Sequence, residues 1–136
     1  MKTLVIRIGD RLTIRAIAVP VDGQIRDKCE ILAFFQECAK KWPKEFYKLS
    51  GLLSDTADYG PPSDTKKFKP LAGSDLYEFK THFGLRLICF WDDKGLIVCT
   101  HGYVKDGQKA PKSELTKADK IRKDYFRAKE AGELNH

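Results

Sequence analysis

Two short apolar runs rich in Val and Ile, Leu4 to Ile8 and Leu12 to Ala18, are separated by the polar Gly9-Asp10-Arg11. That pattern predicts two strands, or one interrupted strand, and a glycine first in a tight loop fits a hairpin. After the turn at Asp22-Gly23 the period lengthens. Ile25, Cys29, Leu32, Phe35, Cys38 and Trp42 recur at helical spacing, which predicts an amphipathic helix from Ile25 to about Lys41. Pro43 opens a second helix, because the first helical turn does not use the N–H that proline lacks. Phe46, Leu49, Leu53 and Thr56 carry it across Gly51 until Tyr59-Gly60-Pro61-Pro62 stops it. Together the two predict a helical hairpin.

Ser63 to Lys69 reads as a polar, lysine-bearing connector. From Tyr77 the period becomes that of strands, over Tyr77 to Lys80, Leu85 to Trp91 and Leu96 to Val104, an antiparallel meander. Pro111 stands where a helix begins, and Leu115, Ala118, Ile121, Tyr125 and Ala128 form a stripe that ends near Gly132. The order gives an α+β fold, a small antiparallel sheet with the helical hairpin on one face and a C-terminal helix, the other face at least partly open. A chain of 136 residues makes this one domain, 1–136, able to bury roughly two thirds of its unfolded surface.

Charge adds a partner class. With 25 basic and 19 acidic side chains and a net charge of +6, the surface attracts polyanions, of which nucleic acid is the commonest, although many soluble domains carry such a mixture. Met1 to Ile8 has no long apolar core, which excludes a signal peptide or membrane span there and predicts a cytoplasmic protein with no membrane partner. Cys29, Cys38, Cys89 and Cys99 form no C-x-x-C pair and the histidines do not cluster, so reduced, packed thiols are expected and neither metal nor cofactor.

Leu76-Tyr77-Glu78-Phe79-Lys80, Gly84-Leu85-Arg86-Leu87-Ile88, His101-Gly102-Tyr103-Val104-Lys105 and Gln108-Lys109-Ala110-Pro111 follow one another as apolar runs that each carry one or two cations. The series resembles the catalytic sheet of RelE/HigB-type toxins, in the phage-protein-like branch of that superfamily. The pattern there is roughly Leu-Tyr-Glu-Leu-Arg, Tyr-Arg-Val, then His-Gly-Phe-x-Lys-Lys-x-x-Lys-x-Pro before a final helix. The likeness runs from Phe68 to about Phe126, is loose over the preceding helices and hardly reaches the first two dozen residues, so residues 1–11 read as an extra N-terminal strand. It implies the toxin of a toxin-antitoxin pair that cuts mRNA, with the ribosome and a cognate helix-turn-helix antitoxin as partners. The alternatives on the same fold are a ParE-like, non-enzymatic gyrase inhibitor and a nucleic-acid-binding module without catalysis.

In-line attack by a 2′-hydroxyl needs a base, an acid for the leaving 5′-oxygen and cations for the charge growing on phosphorus. The resemblance implies that Lys80, Arg86 and Lys105 do this work, Arg86 by gripping phosphate with its planar fork and Lys80 as a base whose pKa neighbouring cations lower. Asp106 stands where the second lysine of the dibasic motif belongs. Lys109 is the first candidate to restore that charge, with Asp106 as a base or weakened activity as the other outcomes. Glu78 orients Lys80 or Arg86 or forms an ordinary cross-strand ion pair. His101 and His82 titrate nearest neutrality and are candidate proton carriers or packed groups, and Tyr103 either stacks on a base or belongs to the core.

Two loops are compatible with the last hairpin. A three-residue loop, Asp93-Lys94-Gly95, sets Cys89 opposite Cys99 and Arg86 opposite Gly102, whereas a four-residue loop from Asp92 sets Arg86 opposite His101. A shared face of Arg86, His101 and Lys105 requires the second register, which is therefore the expectation.

Overall fold

The computed structural model describes residues 1–20, 27–105 and 111–135. The strands are β1 (Lys2–Ile8), β2 (Thr13–Pro20), β3 (Asp27–Lys28), β4 (Phe68–Pro70), β5 (Tyr77–Lys80), β6 (Leu85–Asp93) and β7 (Leu96–Val104), and the helices are α1 (Glu30–Lys41), α2 (Pro43–Tyr59) and α3 (Lys112–Glu130). Six strands lie in the order β1-β2-β7-β6-β5-β4, with β3 paired to β2 off that path. The fold is α+β, as the order of elements predicts.

The sheet is mixed, which corrects the expectation of an antiparallel one. Thr13 to Ala16 of β2 run parallel to Leu96 to Cys99 of β7, while β1 pairs antiparallel with β2. Parallel neighbours need a long connection, and here it consists of both N-terminal helices and four further strands. The N-terminal segment is thus integral. Arg7 of β1 donates from Nε to Ser54 Oγ at 3.0 Å and from Nη1 to Ile6 O at 2.8 Å, and Asn135 near the C-terminus exchanges backbone hydrogen bonds with Met1 and Thr3 along the outer edge of β1. That bridge satisfies a donor and an acceptor at the start of the edge.

Only Trp42 separates α1 from α2, and both pack against one face of the sheet over Ile14, Phe79, Leu85, Leu87, Cys89, Ile97 and Cys99. Helix α1 starts later than expected. Cys29 is its N-cap, in extended backbone at φ −98°, and Asp27–Lys28 pair with β2, so the apolar period through Cys29 marked burial and not helix; Ile25 lies outside the described residues. The buried stripe is Ile31, Phe35 and Cys38, and Leu32, placed in it by the sequence, is exposed. The stripe of α2 is as predicted, with Leu49, Leu53 and Thr56 buried and Phe46 packed against them.

Helix α3 closes the opposite face, packing Ala118 and Tyr125 on Ile17, Ile88, Phe90 and Val98. The face expected to be partly open is therefore covered by α3 over Ile17, Ile88, Phe90 and Val98. All four cysteines are buried free thiols, as expected, and burial pushes the Cys38 thiol up to about 11. Among the described residues no helix is long and apolar enough to cross a membrane.

Gly102 shows how closely α1 sits on the sheet. A Cβ there would lie 2.4 Å from the ring of Phe34, so only hydrogen fits beneath that ring. Gly102→Ala is expected to force the ring aside and to destabilise the chain by about 1–3 kcal/mol, read as a lowered urea midpoint with unchanged slope; an unaltered midpoint would show that Phe34 moves freely.

Candidate nucleic-acid interface

The register of β6 and β7 decides which side chains share a face. Cys89 lies opposite Cys99, but the ladder then shifts by one residue, so that Ile88 opposes His101, Leu87 opposes Gly102 and Arg86 opposes Tyr103. The expected pairing of Arg86 with His101 is therefore overturned. Thr100 is the extra residue of a β-bulge, a second shift falls at Asp92, and the loop itself is only Lys94-Gly95. A bulge reverses the in-out alternation beyond it. His101 and Tyr103 consequently return to the face of Arg86, by a route that neither loop predicts.

Across β5, β6 and β7 runs one row, Lys80, Arg86 and Tyr103, with Glu78, Ile88 and His101 in the next, and Lys69 of β4 opposes Glu78. Glu78 is completely buried and receives the Tyr103 hydroxyl at 2.7 Å, while Arg86 Nε lies 3.4 Å from its other oxygen. Arg86 is buried as well, and Nη1 donates to Thr81 O at 2.6 Å and to Leu85 O at 3.1 Å. Two cations thus face each other directly across two strands, a destabilising pair in isolation that the buried carboxylate offsets.

Lys80 and Lys105 lie around this node. Partial desolvation first, then Lys69, Arg86 and Lys105, hold Lys80 below its ordinary 10.5 against the opposing pull of Glu78. Desolvation and then Arg86 do the same to Lys105. The main chain places Lys105 there, because its N–H donates to Gly84 O at 2.7 Å and Gly84, at φ +130°, has a backbone that side-chain-bearing residues rarely adopt. Lys80 Nζ is 3.4 Å from Thr65 O.

The other sequence candidates fall as follows. Tyr103 is half-buried with its hydroxyl committed to Glu78, and burial, followed by that bond, raises its pKa. His82 is exposed in the β5–β6 turn. His101 is buried, with Nε2 2.8 Å from Glu114 of α3 and Nδ1 3.1 Å from the Thr100 hydroxyl, so both ring nitrogens are engaged, the first of them in anchoring the first turn of α3. Lys109 and Asp106 lie outside the described residues. Lys69 was missed, since three residues paired with β5 carry no periodic signal of their own and the sequence reads as connector.

Burial, outweighing Glu114, holds His101 below its ordinary 6.5 in the folded chain. On acidification the unfolded chain takes up that proton first, so this stabilisation is complete above about pH 6.5 and is lost as pH falls below it. Thermal melts are expected to decline below that pH, and less steeply in His101→Gln; parallel declines would remove His101 as the cause.

A mixed sheet between two helices and a third, with Lys69, Lys80 and Lys105 gathered around Arg86, defines a small basic α+β domain. The chain belongs to the phage derived protein Gp49-like family (DUF891), whose model matches residues 34–123. That family is part of the RelE/toxin-like superfamily, and its members are commonly toxin-like modules of toxin-antitoxin systems. The match begins within α1 and ends within α3, leaving β1 and β2 outside it. No curated protein matches the chain. Among the described residues no cluster of His, Cys, Asp and Glu is arranged to hold a metal ion.

Proposed function

We propose that the chain is the toxin of a RelE/HigB-type pair and an endoribonuclease that cuts mRNA on the ribosome, held inactive by a cognate antitoxin. The observation that carries this reading is the crowding of Lys69, Lys80 and Lys105 around Arg86, with one buried carboxylate among them. Cations held close on rigid strands at a stability cost fit a phosphate that gains charge in the transition state. Arg86, tied to two carbonyls, acts by positioning. Lys80 and Lys105 reach the substrate: Lys80, with its lowered pKa, takes the 2′-hydroxyl proton, that oxygen bonds to phosphorus as the bond from phosphorus to the 5′-oxygen breaks, and the leaving 5′-oxygen takes a proton from solvent water. The products are a 2′,3′-cyclic phosphate and a 5′-hydroxyl.

The test is purified protein with end-labelled mRNA, alone and on translating ribosomes, together with expression in growing cells. Fragments ending in cyclic phosphate and an arrest of translation are expected. Intact RNA in both settings, with growth arrest accompanied by a DNA-damage response, would overturn the reading in favour of a gyrase inhibitor.

A further inference from the structure

Beside the cationic node lies a cavity of about 650 Å³, walled by α2, the connector before β4 and the β5–β6 turn, with Lys80 and Arg86 at its edge. Its size falls within the roughly 300–1,000 Å³ typical of ligand pockets. Tyr47, Leu52 and Asp55 of α2 line one side and His82 another. Tyr47 is 79% exposed, a large aromatic surface left open next to a concave site. Gly51 stands between these residues in the middle of α2, and a Cβ there would meet nothing within 4 Å. Glycine within a helix costs stability relative to alanine, and no close packing requires it here. What Gly51 supplies is room in the cavity.

We propose that this cavity receives one unpaired base of single-stranded RNA, the neighbour of the phosphate at Lys80, with Tyr47 and His82 offering ring faces and Gly51 leaving space for the base. The chemistry favours a nucleotide over an apolar ligand. Cations at Lys48, Lys66 and Lys67 line the same cavity and continue the positive track from Lys80. The Asp55 carboxylate adds an acceptor for a base N–H, and aromatic stacking tolerates any base. This inference rests on the reading of the chain as an RNA-binding toxin, and extends the site from phosphate to base.

The experiment uses the full chain, a fluorescent six-nucleotide RNA with uncleavable 2′-deoxy linkages, and the same RNA with single abasic positions. Gly51→Leu fills the cavity with a better helix former, so thermal stability is expected to hold or rise. Its affinity is expected to fall roughly 5- to 150-fold, the range that loss of one stacked base gives. One abasic position should weaken the wild type by a similar factor and leave Gly51→Leu unchanged further. Tyr47→Ala provides a second variant at an exposed site, and should weaken binding in the same direction. Wild-type affinity in Gly51→Leu, or an abasic effect of equal size in both proteins, would overturn the base pocket while leaving the toxin reading intact. No measurable binding of this RNA by the wild type, together with intact mRNA on translating ribosomes, would defeat the endoribonuclease reading itself.

Discussion

Arg86→Ala is expected to destabilise the chain by about 3–5 kcal/mol, the range for removing one partner of a buried ion pair. Glu78 is completely buried, and in the variant it would keep only the Tyr103 hydroxyl as a close partner for its charge. A loss of that size is a large part of the roughly 5–15 kcal/mol that holds a small domain together. Adding Glu78→Gln to Arg86→Met should restore much of the midpoint in urea, because the uncompensated charge goes with its partner. Growth arrest would disappear whether Arg86 holds the site or touches RNA, so denaturation must accompany it. An Arg86→Ala protein with wild-type stability and no activity would show that Arg86 acts on the substrate directly and is not a positioning residue.

Local sequence made some of this architecture legible. Pro43 and the Tyr59-Gly60 stop marked both ends of α2, and Pro111 marked the start of α3, because such signals act within one helical turn. Strand β5 fell where the alternation put it, from Tyr77 to Lys80. The rest depended on partners distant in the chain. Nothing near Phe68 announces β4, whose three residues become a strand by pairing with β5. Nothing near Thr13 announces a parallel neighbour across more than eighty residues, at Leu96.

The candidate site divides the same way. The identities of Lys80, Arg86 and Lys105 could be picked from the sequence, but which β7 residues share the face of Lys80 and Arg86 depended on the bulge at Thr100, and turn chemistry at the far end of the hairpin does not encode it. Thr100 gives the bulge two local supports, a hydroxyl 3.3 Å from Ile88 O and 3.1 Å from His101 Nδ1. His101 in turn fixes α3 through Glu114. One inserted residue therefore sets both the face shared by Arg86, His101 and Tyr103 and the docking of α3 through Glu114. Lys69 and the buried state of Glu78 were not legible at all, since both follow from the β4–β5 pairing.

Lys80→Ala is expected to slow RNA cleavage by about 10²–10⁴-fold, the usual contribution of a positioned general base. The sign of the pH dependence follows from the neighbours. Desolvation and the surrounding cations favour the neutral amine, so a larger share of Lys80 is ready to accept a proton at a given pH than the ordinary 10.5 would allow. The cleavage rate, corrected for alkaline hydrolysis, should therefore rise tenfold per pH unit and level off below pH 10.5. Lys80→Arg separates charge from basicity, because guanidinium keeps its proton throughout this range. It should bind uncleavable RNA nearly as tightly as the wild type, yet cleave slowly and without the rise. Lys80→Ala should lose part of the binding as well. If Lys80→Arg instead cleaves at the wild-type rate with the same pH profile, Lys80 serves only to neutralise phosphate, and the base must be sought among the other groups around Glu78.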